Sequence, residues 1–167
     1  VMLDDADIIF SGNDDQRAGY ILSAKGDVNG DGIKDIFIGE EGKIYCFFGR
    51  SQEEWAQKGK DIPISTADIV FAHESTNELS IDVGGDVNHD GIGDIIIGDA
   101  NLNAEKGRAY LIYGRSLEKW QPVKNYNLKN ADVIIDSFHF IPFFTPLYIK
   151  KNKIVALINE PAKNAWF

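Results

Sequence analysis

Two stretches of this chain place acids at a spacing suited to a hard cation. They are Asp27, Asn29, Asp31 and Asp35 in GDVNGDGIKD, and Asp86, Asn88, Asp90 and Asp94 in GDVNHDGIGD. With the first aspartate as position 1, side-chain oxygens fall at positions 1, 3, 5 and 9. Glycine at position 6 (Gly32, Gly91) permits a sharp turn, and position 7 (Ile33, Ile92) offers its backbone carbonyl. Oxygen donors with six or seven places favour Ca²⁺. Mg²⁺ demands a smaller octahedron, and softer metals want imidazole or thiolate. An Asp/Asn/Gly turn without an ion is the plain alternative. The second copy argues against it, because three crowded carboxylates repel one another unless a cation lies among them. The sequence therefore predicts two Ca²⁺ sites.

Neither loop continues as an EF-hand. Position 12 is Ile38 or Ile97 where a bidentate glutamate would stand, and a strand pattern follows where a helix would. Catalysis has no comparable support, since His73, His89 and His139 are isolated, no nucleophile motif occurs, and the clustered aspartates are assigned to metal.

The rest of the composition sets bounds. The 167 residues, 44% hydrophobic and 11% aromatic, suffice for one folded domain with a core. A net charge of -9 argues against nucleic acid, and the lysine cluster at Lys150, Lys151 and Lys153 is no basic stripe. Two divalent cations would bring that charge from -9 to -5. Cys46 stands alone, which rules out an intramolecular disulfide and a cysteine zinc site, and its place in KIYCFFG reads as core. No segment reaches the roughly 18 apolar residues of a membrane span. VMLDDADIIF lacks the basic flank and apolar run of a signal peptide, as in a cytosolic protein or a mature or excised fragment. FHFIPFFTPLYI at 138–149 is broken by Pro142 and Pro146 and reads as the packing of a distorted unit.

The elements that must position the loops come from a repeat. ADIIF at 6 returns as ADIVF at 67 and ADVII at 131; the acidic loop that starts at Gly26 returns from Gly85; YCFFGRSQEEW returns as LIYGRSLEKW. Within each unit of about 60 residues, GYILSAKG, DIFIGE, KIYCFFG, DIPIS and ADIVF have strand periodicity and polar or glycine punctuation. One unit supplies about four antiparallel strands. After each GRS a short helical turn holds Trp55 or Trp120 in the core; Ser51 and Glu54 form a capping box that Lys119 denies the second copy. Tandem four-stranded units make a β-propeller, and a sandwich gives no reason for so long a copy. Repeat 1 covers about 6–66, repeat 2 about 67–130 and a degenerate repeat 3 about 131–167. In the third, KIVALINE at 153–160 is laid over KDIFIGE and KNAWF over KIYCFF, which puts Leu147, Ile149, Lys151 and Val155 at the ligand positions and loses the site.

The pattern AGYILSAKGDVNGDGIKDIFIGEEGKIYCFFG, with its second copy, resembles the FG-GAP repeat family, the blades of integrin α-subunit propellers and of many bacterial surface and secreted proteins. The resemblance covers about 6–137 well and the remainder weakly. It implies an all-β fold of propeller blades, two well formed and a degenerate third, in an incomplete propeller. The calcium loop would join the first two strands of a blade as a structural brace, and ADIIF would be an outer strand. The implied function is a non-catalytic, extracellular or cell-surface module for protein or ligand recognition and adhesion, its partner unidentified. An accessory domain of a larger secreted phospholipase or hydrolase is the alternative. Ligand-contacting loops would include SGNDDQR at 11–17 and AHESTN at 72–77, and uncovered blade faces call for further blades from the same or another chain.

Overall fold

A computed structural model of the chain describes residues 5–12, 17–72, 79–100, 107–138 and 153–158. It opens with β1 (Ile9–Ser11), followed by β2 (Ile21–Ser23), β3 (Ile36–Glu40), β4 (Lys43–Phe47), α1 (Gln52–Lys58), β5 (Asp61–Pro63) and β6 (Ile69–Ala72). The second unit gives β7 (Leu79–Gly85), β8 (Asp94–Asp99), β9 (Arg108–Ile112), α2 (Leu117–Trp120), β10 (Asn125–Asn127) and β11 (Val133–Phe138), and β12 (Lys153–Ile158) follows. The order β2-β3-β4-β6 forms one antiparallel blade and β7-β8-β9-β11 a second. As the resemblance implies, each acidic loop joins the first and second strands of its blade. No barrel closes among the described residues.

Alternation along the strands decides how the blades stack. In blade 1, Phe37, Ile44, Cys46, Ile69 and Phe71 turn to one face, while Ile38, Tyr45 and Phe47 turn to the other. A strand buried on both sides must be apolar throughout, which accounts for the unbroken runs IFI and IYCFF. The first face packs on Ile95, Ile97, Tyr110 and Ile112 of blade 2. These align with Ile36, Ile38, Tyr45 and Phe47, so opposite faces of equivalent blades meet head to tail. Burial pushes the Cys46 thiol well above its ordinary range and leaves it a core residue, as its sequence setting indicates.

Both ends of the two-blade stack expose apolar residues whose counterparts the joint buries. Leu22, aligned with partly buried Ile81, is 69% exposed, and Ile96, aligned with fully buried Phe37, is 40% exposed. The incomplete propeller inferred from the repeats is visible here as two faces prepared for neighbours.

The segment before each outer strand does not join its own blade. DIP of β5 pairs in parallel with β1, and NYN of β10 pairs in parallel with β6 of the preceding blade. Period-2 alternation identified DIPIS as a strand but carries no information about a partner from another unit. β12 likewise pairs in parallel, with β11, and among the described residues builds no further sheet. The overlay of KIVALINE on KDIFIGE is therefore corrected: β3 lies antiparallel between two neighbours, whereas β12, outermost among the described residues, pairs in parallel with β11. KNAWF, Leu147, Ile149, Lys151 and the 139–149 part of the aromatic stretch lie outside the described residues.

The helical turns follow their caps. Ser51 Oγ accepts from Glu54 N at 3.3 Å while the Glu54 carboxylate accepts from Ser51 N at 2.9 Å, and α1 runs seven residues. Ser116 makes no side-chain cap, and α2 stops after four. Trp120 is buried as expected, whereas Trp55 is half-buried against Phe10.

Candidate metal centre

Each loop is wound around its own carboxylates. Asp27 Oδ1 accepts from Gly30 N at 2.7 Å and Asp31 N at 3.2 Å, and its Oδ2 accepts from Gly32 N at 2.7 Å. Asn29 Oδ1 accepts from Asp31 N, and Asp31 Oδ1 accepts from Ile33 N. The second loop repeats this: Asp86 accepts from Asp90 N and Gly91 N, Asn88 Oδ1 from Asp90 N, and Asp90 Oδ1 from Ile92 N. Gly32 and Gly91 take φ of 89° and 86°, the left-handed region where glycine is unstrained. Non-ligand position 4 is left-handed too; Gly30 adopts it freely, and His89, exposed as a solvated loop residue, reaches φ 61°.

The aspartates at position 9 are the buried members. Asp35 accepts from Val28 N at 2.7 Å and Gly49 N at 2.8 Å; Asp94 accepts from Val87 N and Gly114 N, both at 2.8 Å. Burial lifts the Asp35 carboxyl to about 6, against the pull of the Gly49 and Val28 amides, and the charges of Asp27 and Asp31 push it the same way. Asp35→Asn should cost about 1–3 kcal/mol in chelator as well as in calcium, because an amide oxygen and an NH₂ cannot both accept. Urea unfolding in chelator checks this: an unchanged midpoint would mean that the carboxylate does nothing for the fold.

These bonds explain why three separated segments recur together. Gly49 and Gly114 open the GRS motif and hold the position-9 aspartate. The next residue, Arg50, reaches Asp68 of ADIVF at 2.6 Å, and Arg115 reaches Asp132 of ADVII at 2.8 Å. Asp68 and Asp132 also accept from Phe48 N and Tyr113 N. Arg50 lies 5.1 Å over the Trp55 ring and Arg115 4.7 Å over the Trp120 ring. Loop, GRS and outer strand are thus one polar circuit per unit. Sequence reading missed this circuit, and the fixed offsets at which Asp and Arg recur are the signal that could have found it.

Although nearly identical in sequence, the loops differ in setting. Loop 1 is sealed into the joint between units: Gly93 N donates to Asp27 O at 2.8 Å, Arg115 N to Val28 O at 3.0 Å and Trp120 Nε1 to Val28 O at 2.9 Å. Gly26 lies so close to Val83 and Gly84 that a Cβ there would come within 2.6 and 2.8 Å of them. Loop 2 has no such lid among the described residues, and Val87 is 61% exposed where Val28 is 0%.

Asp27, Asp86 and Ile92 are partly buried, Asn29, Asp35 and Asp94 buried, and Asp31, Ile33, Asn88 and Asp90 exposed. Among the described residues no three acidic or histidine side chains are gathered tightly enough to hold an ion as placed, because backbone amides occupy the carboxylates. The donor set still fits a hard cation. All five positions of each loop carry oxygen donors, and the two loops wind their amides onto positions 1 and 5 in the same way.

Residues 27–97 match the family model described as the FG-GAP-like repeat. The chain is also 29% identical over 121 residues to integrin alpha-X of Mus musculus, an alignment covering 66% of this chain and 9% of that relative.

Proposed function

We propose that this chain, whose residues 27–97 match the FG-GAP-like repeat and which is similar to an integrin alpha subunit, is a calcium-braced module for recognition or adhesion, without catalysis of its own. Asp27, Asn29, Asp31, Ile33 (through its carbonyl) and Asp35 would hold one Ca²⁺, and Asp86, Asn88, Asp90, Ile92 and Asp94 a second. The observation that carries this reading is that both loops wind the amides of positions 5, 6 and 7 onto the carboxylates of positions 1 and 5. The chain spans about a tenth of the integrin relative's length, and the proposal is for this module and not for the whole of such a protein.

A cation there would be structural. It would neutralise carboxylates that the fold crowds together and fasten the β2–β3 and β7–β8 connections, leaving the opposite rim free for a partner. SGNDDQR and AHESTN fall largely outside the described residues, and the partner's chemistry is not written in what remains. Loops with Kd near 10⁻³ M are filled outside the cell and empty in the cytosol, which supports an extracellular or cell-surface setting. Among the described residues no helix is long and apolar enough to cross a membrane.

Thermal unfolding tests the brace. About 10 mM calcium, roughly ten times such a Kd, contributes about 1.4 kcal/mol per site. Two sites should raise Tm by about 5–10 °C over chelator. Coincident melting curves would remove the structural role.

A further inference from the structure

β12 occupies a place that elsewhere in this chain belongs to the following repeat. Ile62 of β5 pairs with Phe10 of β1, and Tyr126 of β10 pairs with Phe71 of β6. Phe10 and Phe71 are aligned positions of the outer strand, and the next aligned position is Ile135 of β11. Its partner is Val155 of β12, in the same parallel sense, with Ile154 beside Ile134 and Ala156 beside Asp136. β12 thus pairs at the same outer-strand position and in the same parallel sense as the two interblade junctions, over six pairs where each junction has three.

The connection shows that no blade arrives with this strand. Positions 73–124 separate β6 from β10 and hold β7, β8, β9 and α2. Between β11 and β12 lie only positions 139–152. A parallel crossover needs about a dozen residues or more, which this short connection supplies, but three further strands and a helix do not fit in it.

We propose that β12 is a surrogate junction strand that caps the outer edge of blade 2, supplied in place of the strand a following blade would bring. A further blade could dock on blade 2 by the mode seen between blades 1 and 2 only by displacing it. The cap closes the backbone edge of β11 and leaves the face with Ile96 open.

Hydrogen exchange on the full chain tests this. In the wild type, 133–138 and 153–158 should be protected together. Ile154→Pro and Val155→Pro are each made, because adjacent amides alternate in direction and one of the two must face β11. That variant should speed exchange of 133–138 at least tenfold while 36–47 in blade 1 stays protected. The triple variant I154N/V155Y/A156N, which writes the β10 residues into the β12 register, should keep 133–138 near its wild-type rate. Free-chain exchange of 153–158 in the wild type would overturn the proposal. So would protection of 133–138 unaffected by either proline, or lost in the triple variant. Should the prolines also expose 36–47, the wild-type rates and the triple variant decide.

Discussion

Trp120→Ala should unfold or nearly unfold the protein, at a cost of about 3–5 kcal/mol or more. Few single changes cut so many ties. The ring is 1% exposed, meets Phe71 edge-on at 6.0 Å and Tyr126 at 6.1 Å, and carries the Arg115 guanidinium on its face. Its Nε1 donates to Val28 O, so the substitution also leaves a buried carbonyl of loop 1 without that donor. A domain of this size has about 5–15 kcal/mol in all. Trp55 meets Phe10 edge-on at 5.9 Å in the equivalent geometry but is half-buried, and Trp55→Ala should cost about half as much. Denaturant midpoints of the two variants compare them directly; equal losses would contradict the claim that the blade-to-blade joint dominates the core.

In calcium, Asp31→Ala should lower Tm more than Asp90→Ala, although both remove position 5 of the same motif. Loop 1 is clamped by Gly93 N, Arg115 N and Trp120 Nε1 from the second unit, so loosening it loosens the joint. Loop 2 ends in exposed Val87 and secures one blade alone. Losing one cation removes about 1.4 kcal/mol at tenfold saturation in either case. The excess for Asp31→Ala, about 1 kcal/mol from weakened loop-to-joint hydrogen bonds, should persist in chelator. The reverse order would show that the buried loop holds its shape without help from its own side chains.

These asymmetries mark where sequence reading stops. Strand periodicity and the Ser51–Glu54 cap are local, and each returned the expected element. The recurrence of long detail was enough to imply blades, because a unit whose two faces are apolar has to stack. Pairing across units is not local. DIP, NYN and KIVALI read equally well as strands of their own blade, and parallel register between segments far apart in the chain leaves no mark in periodicity. Equal sequences also hide unequal surroundings. Val28 and Val87 occupy one motif position, and their burial differs because one has a following unit over it. The link from Asp35 through Gly49 and Arg50 to Asp68 was legible in principle, since polar residues that recur with an apolar frame need partners within it.

The central claim is that the two acidic loops are cation sites, and the stoichiometry of calcium binding to the full chain tests it most directly. Calorimetric titration at millimolar calcium should give two ions per chain for the wild type, one for Asp90→Ala and none for the Asp31→Ala/Asp90→Ala double variant. An absence of binding by the folded wild type, or a stoichiometry unchanged in the double variant, would contradict it.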